Sequence, residues 1–256
     1  MIASKRSDLK KTDWEIDFYS RPIIDENGKK RWELLITSTN NFKDKKTFKW
    51  EKICPASSVN SIWLKDAFDE AIDEAYLQGW DKPSVIRCWR SSMKTMIKRA
   101  ADQIGIELIS SRRTYSLLEW LIERERSFYP QQKGYTGVNL APPSNPITNQ
   151  AIPLPEEVRG ESWSFASLSL NTLREADEWE IEFSNLIPIK DSINENISIP
   201  GIRLFSPKRS LALAAWLGGL EPAKLLIEGT QIILEAGQAD RWLVTDVEEE
   251  AKKVIE

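Results

Sequence analysis

The residues with chemical potential in this chain are cations and hydroxyls, and their pattern occurs twice. Ser110-Ser111-Arg112-Arg113-Thr114 follows an apolar stretch and precedes an amphipathic one, and Ser206-Pro207-Lys208-Arg209-Ser210 does the same further on. At the start of a helix such a turn offers a phosphate free backbone N–H groups, the positive end of the helix dipole and charged side chains. The alternative is structural: Thr114 and Ser210 cap helices while the arginines pair with carboxylates. Arg87, Arg90, Lys94 and Lys98 stand upstream of the first copy, so the segment from Arg87 to Arg113 is strongly basic. Pro207 restricts the second turn and no basic helix backs it. Arg112 and Arg113 are therefore the expected main phosphate grip, with Arg87, Arg90, Lys94 and Lys98 as further expected contacts; Lys208 and Arg209 are also candidates, although their copy is more readily structural.

The chain contains no histidine, which removes Ser-His-Asp and Cys-His catalysis and imidazole metal sites. Its two cysteines, Cys54 and Cys88, belong to no paired motif and are expected as small buried hydrophobes. Carboxylate–magnesium chemistry is the remaining enzymatic option. Asp17 sits on the first expected strand, and Asp66, Asp69, Glu70 and Asp73 line one face of a helix that could join it in a two-metal nuclease site. Glu182 holds an analogous place in the second half. The ligand count is thin, because the strand around Arg87 ends in Arg-Cys-Trp-Arg where such a site needs another acid.

These side chains must be positioned by an ordinary globular scaffold: 256 residues, 41% hydrophobic and 29% charged, with a net charge of −4. No apolar run reaches membrane-spanning length, and the N-terminus has neither a secretion signal nor a transit peptide, so cytoplasmic residence is expected. Trp14–Phe18 and Trp32–Ile36 flank Asn27-Gly28, the signature of a β-hairpin. A third strand is expected near Thr47–Ile53, a helix over Asn60–Gln78, a strand over Val85–Trp89, and a helix from Ser91 or Ser92 to Ile104. The order resembles a ribonuclease-H-like fold.

Gly105–Leu121 and Gly201–Leu217 align without gaps, with Gly, Ile, Leu, Ser, Arg, Leu, Trp and Leu at matching places. Trp163–Leu170 and Trp179–Phe183 echo the first two strands. A diverged duplication follows, with a helix expected over Ala223–Ala236. Six prolines between Pro130 and Pro155 mark a linker. The expected organisation is an N-terminal α/β domain (1–130), a linker (131–155), a C-terminal α/β domain (156–245) and an acidic tail (246–256), with mixed α/β sheets overall. Among the 11 tryptophans, Trp89 and Trp242 adjoin arginines and would stack unpaired bases if exposed.

The chain resembles the Tab-two/Atab-two family along most of its length. The resemblance rests on W-E-x-D-F-x-S-R-P-I-x-D-x-x-G-K-K-x-W-E-L-L from Trp14, W-R-S-x-M from Trp89, S-R-R-T-Y-S-L from Ser111, P-L-P-x-x-x-R-G-E-x-W from Pro153, P-G-I from Pro200 and L-A-A-W-L-x-G-L-E-P-A from Leu213. It implies a non-enzymatic protein that binds A/U-rich leader RNA and promotes translation and biogenesis of photosystem reaction-centre subunits. It also implies a cyanobacterial member, acting in the cytoplasm or at the periphery of thylakoid membranes, with translation or photosystem-assembly proteins as further partners and no cofactor. The family's Trp-Leu-Leu-like tripeptide corresponds to Trp242-Leu243-Val244, which adds Arg241, Trp242 and Leu243 to the expected RNA contacts. A scaffold for photosystem assembly, its basic turns paired internally, is the remaining alternative.

Overall fold

In the computed structural model the described residues are 9–39, 46–137, 150–175, 193–194, 196–220, 223–236 and 240–246. The expected hairpin forms between β1 (Trp14–Ile24) and β2 (Lys30–Ser38). Its turn is built by Asp25, whose carboxylate accepts from the Asn27 and Lys29 N–H groups at 2.9 and 2.8 Å, while Gly28 takes a φ of 75°. The ladder shifts register between Ser20 and Ile24, around Pro22, which has no N–H to contribute.

The expected third strand forms: β3 (Lys49–Cys54) pairs antiparallel to β2. The chain continues through α1 (Ser61–Leu77), β4 (Val85–Cys88), α2 (Lys94–Gln103), β5 (Glu107–Ser110) and α3 (Tyr115–Glu123). Asn60 caps α1, its side chain accepting from Ile62 and Trp63 N–H at 3.0 and 2.9 Å. Asn60→Ala is expected to lower the stability of this unit by about 1 kcal/mol in urea denaturation. Neither Ser91 nor Ser92 caps α2. They lie in a 3₁₀ turn, Ser91–Met93, that leads into it.

The five strands lie in the order β3-β2-β1-β4-β5, with β4 and β5 parallel to β1. Strand alternation sends Trp14, Ile16, Phe18, Leu34 and Ile36 to one face, where they form the core with Leu64, Ala67, Phe68 and Ala71 of α1 and Ile97, Ala100 and Ala101 of α2. Leu35 turns to the other face, against Leu117, Trp120 and Leu121 of α3. The segment beyond α3, expected from the sequence to begin a linker, returns to this unit. Ile24 N–H donates to the Gly134 carbonyl at 2.9 Å, and Ile23 bridges Tyr135. The chain divides into two compact units, Met1–Asn145 and Pro146–Glu256.

The second unit contains β6 (Ile152–Pro153), β7 (Ser162–Ser169), α4 (Leu170–Arg174), β8 (Ser198–Phe205), α5 (Ser210–Gly219), β9 (Ala223–Glu228), β10 (Gln231–Ala236) and β11 (Asp240–Asp246). The expected helix over Ala223–Ala236 is instead the β9–β10 hairpin, broken at Gly229 (φ 59°). Its Leu and Ile side chains fit a pleated surface, and pairing with β11 on the far side of β10 rewards the extended form. The sheet runs β6-β11-β10-β9, and β7 and β8 form a separate antiparallel pair. Trp179–Phe183, Glu182 and residues 247–256 lie outside the described residues. The repeat is local. Both copies are strand, turn and helix, but β5 is a parallel edge strand while β8 pairs antiparallel with β7. Gly105 has a φ of 66° behind α2, whereas Gly201 has no such backbone.

Candidate nucleic-acid interface

In the first unit β1, β3, β4 and β5 all run in one direction, because β2 is antiparallel to both of its neighbours. The helices α1, α2 and α3 follow β3, β4 and β5, so all three begin at the carboxyl end of the sheet. Outside the carboxyl ends of strands is where open α/β sheets ordinarily bind ligands. This end holds Arg90, Lys94 and Arg112, together with Tyr19 of β1, Trp32 of β2 and Trp89 just beyond β4.

The structure uses the predicted cations unequally. Arg87 is buried, and its guanidinium donates to Asp13 at 2.5 Å. Arg90 is half-buried: it donates to Asp17 at 2.6 Å, and its guanidinium lies 3.9 Å from the Tyr19 ring centre and 4.1 Å from that of Trp89. Lys94 is exposed and in no ion pair among the described residues. Lys98, also exposed, pairs with Asp102 one helical turn on, at 2.8 Å. Arg112 is half-buried, but Arg113 is only 3% exposed and no phosphate reaches it in this arrangement. That corrects the expectation of a paired Arg112–Arg113 grip. The turn drives Arg113 inward toward Glu15 and leaves Arg112 at the surface.

Glu15 is a determinant that sequence reading missed. From β1 its carboxylate accepts the N–H of Leu117 at 2.9 Å and so caps the first turn of α3, where Thr114 makes no side-chain cap bond. Burial raises its pKa to about 7, against the lowering effects of the Leu117 N–H, Arg113 and Arg87.

Asp17 is fully buried between Arg21 and Arg90, which approach its two oxygens at 2.6 Å each. Those oxygens are the lone pairs a magnesium ion would need. The acids of α1 cannot join it, because α1 packs on the Trp14–Ile16–Phe18 face and Asp17 points to the opposite one. Asp69 pairs with Lys65 at 2.6 Å and Glu70 with Lys52 at 2.6 Å. Among the described residues no three His, Cys, Asp or Glu side chains are grouped to hold a metal. Asp17 and the α1 acids considered from sequence are thus not brought together. Arg21 also reaches Glu33 at 3.2 Å, and Glu33 accepts from the Tyr129 hydroxyl at 2.9 Å and from Arg124 at 3.3 Å. Cys54 and Cys88 are free and buried, and burial pushes the Cys88 thiol up to about 12.

In the second unit Arg209 is engaged by backbone carbonyls while its side chain stays 41% exposed. It donates to the Glu157 and Arg159 carbonyls at 2.5 and 3.0 Å, while Lys208 is exposed. Arg241 pairs with Glu228 and, at 3.2 Å, with Glu235. Trp242 is half-buried against Trp216, ring centres 5.5 Å apart. Leu243 accepts from Leu154 N–H at 3.0 Å. A largely apolar cavity of about 530 Å³ lies nearby, lined by Leu154, Trp216, Leu225 and Val244 among others. No described helix is long and apolar enough to cross a membrane.

Two family models match. One, described as "RNA-binding protein Tab2/Atab2 N terminal", covers residues 13–124, and the other, "RNA-binding protein Tab2/Atab2, C-terminal domain", covers 141–255. The chain is 32% identical to the chloroplastic protein TAB2 homolog of Arabidopsis thaliana over 90% of its own length and 61% of that protein's. It is 31% identical to the chloroplastic TAB2 homolog of Zea mays, over 95% of this chain and 62% of the relative. The chain thus spans about three-fifths of the length of these relatives. Among solved structures it is similar to the HTLV-2 integrase catalytic core domain, at 16% identity and a TM-score of 0.29 over 50% of this chain and 80% of that one. A score that low does not support a ribonuclease-H-like assignment. The motif order read along the sequence, the two matched domains and the identity to the plant proteins agree: this chain belongs to the Tab2/Atab2 family of RNA-binding proteins.

Proposed function

We propose that this protein binds single-stranded A/U-rich leader RNA without cleaving it, and thereby promotes translation and biogenesis of photosystem reaction-centre subunits. Family membership supports the RNA partner, and the name of the plant relatives supports the photosynthetic setting. The observation that carries the reading is the carboxyl end of the first unit's sheet. There an exposed Lys94 and a half-buried Arg112 accompany half-buried aromatic rings, while the carboxylate Asp17 is engaged by arginines. Cations supply affinity for phosphates and rings supply affinity for unpaired bases, whereas hydrolysis would need acids free to hold a metal.

Filter binding of an A/U-rich oligonucleotide across a salt series tests this. Affinity should fall as salt rises, with a slope of about −0.7 per phosphate neutralised on a single strand. Lys94→Ala combined with Arg112→Ala should reduce that slope by about 1 to 1.5 and weaken binding at every sequence alike, since phosphate contacts carry no base information. An unchanged slope in the double variant would move the phosphate contacts elsewhere. Labelled RNA should stay intact on incubation with magnesium, and cleavage abolished by Asp17→Asn would overturn the non-enzymatic reading.

A further inference from the structure

We propose that Trp32, Tyr19, Arg90 and Trp89 form a base-stacking platform for unpaired nucleotides at the carboxyl end of the first unit's sheet. The proposal rests on the RNA-binding reading and names the part of the surface that takes the bases.

The four side chains come from three neighbouring elements and form one continuous series. The Trp32 and Tyr19 rings are 5.8 Å apart in an edge-to-face pair, the Tyr19 ring lies 3.9 Å from the Arg90 guanidinium, and that guanidinium lies 4.1 Å from the Trp89 ring. On its inner side the series is anchored by Phe18, fully buried and 5.6 Å from both Trp32 and Trp63. Arg90 is held from below by both oxygens of buried Asp17, at 2.6 and 3.5 Å. Its charge is thereby matched and its plane is fixed before any ligand arrives.

Tyr19, Trp32 and Trp89 are half-buried, so each is gripped by the fold and still open on part of its surface, while the Arg90 side chain, 9% exposed, backs them. Neither the Tyr19 hydroxyl nor the Trp32 indole N–H makes a hydrogen bond among the described residues, and neither is a buried orphan. Both polar tips are thus available to solvent or a ligand. Lys94 is exposed and opens α2, which begins at the same end of the sheet. Flat rings backed by a fixed guanidinium, with a cation alongside, fit single-stranded nucleic acid: every base has a π-face, and the adjacent phosphate is anionic. Such a platform adds affinity with little sequence preference, so the A/U preference would be read by other groups.

Binding of a fluorescently labelled A/U-rich RNA oligonucleotide to the full chain tests the assignment, with wild type, Tyr19→Phe, Tyr19→Leu and Tyr19→Ala compared and folding checked by circular dichroism. Loss of one stacked base should weaken binding about 5- to 150-fold in Tyr19→Ala and Tyr19→Leu, while Tyr19→Phe stays within about 3-fold of wild type. The salt slope should be the same in all four proteins, because no phosphate contact is removed. Tyr19→Leu preserves apolar volume, so its weakening separates a lost ring face from lost packing. Wild-type affinity in a folded Tyr19→Leu variant overturns the platform and leaves the RNA reading standing. A wild-type chain that does not bind the oligonucleotide at all overturns the RNA reading and the platform with it.

Discussion

Arg21→Met destabilises the first unit by about 3–5 kcal/mol, the usual cost of removing one partner from a buried charge pair. Arg21 is 1% exposed, and its guanidinium spans Asp17 at 2.6 Å and Glu33 at 3.2 Å. Asp17 and Glu33 are themselves buried, so water cannot replace the lost donors. Methionine keeps much of the stem and removes only the charge and its hydrogen bonds. Asp17 would retain Arg90, and Glu33 would retain Arg124 and Tyr129, which places the expected loss toward the lower end of the range. For a unit of this size the melting temperature should fall by about 10 °C in differential scanning calorimetry. A shift of under about 2 °C would mean that the network is wetter and weaker than its geometry indicates.

The second large effect is on pH dependence. Glu15 holds its proton up to about pH 7 in the folded chain, while its ordinary value is 4.5. Between those values the native state binds more protons than the unfolded state, so stability declines as pH rises. The contribution is fully present below about pH 4.5 and is lost on passing through about pH 7. A tenfold change in proton affinity corresponds to about 1.36 kcal/mol, so the whole contribution is about 3 kcal/mol. Glu15→Gln keeps an oxygen for the Leu117 N–H and cannot ionise. Relative to wild type the variant should gain stability steadily between about pH 4.5 and 7 and stay ahead above that. Denaturation curves measured across this range provide the check, and wild-type and variant stabilities that run parallel would show that Glu15 titrates normally.

Much of the fold was legible because the signals were local. Asn27-Gly28 announced the hairpin, and the stripe from Leu64 to Ala75 announced α1 together with its cap, Asn60. The hairpin β9–β10 was misread because Ala223–Ala236 is short and apolar, and its extended form is secured by pairing with β11, which no local pattern reports. Of the basic run, Arg90, Lys94 and Arg112 lie with Trp89 at one end of the sheet, as a local cluster of cations in the sequence suggests. The internal division of that run was not legible. The alternation Trp14-Glu15-Ile16-Asp17-Phe18 reads as one apolar and one solvated face, yet α3 and the segment around Tyr129 cover the second face and bury its charges. With that face covered, arginines such as Arg21, Arg87 and Arg113 are consumed as internal partners. Fewer cations remain for RNA than the sequence offers, and Tyr19 and Trp32 become visible only when β1 and β2 are seen beside Arg90.

That all three helices of the first unit start at one end of its sheet also bears on how an RNA strand would arrive. The first unit (1–145) carries 25 Lys and Arg against 20 Asp and Glu, whereas residues 146–256 carry 10 against 19, so the long-range attraction for a polyanion belongs to the first unit. At low ionic strength, where the Debye length is about 30 Å, a strand approaching the first unit would sense that whole positive excess, the acids of α1 included. Near physiological salt the length shrinks to about 8 Å, and the strand responds only to the charges directly before it. Under the proposed function, capture there would be governed by the cations and rings at the carboxyl end of the first unit's sheet. Salt would thus shift such a protein from a general attraction for polyanions toward recognition by the few groups that touch the strand.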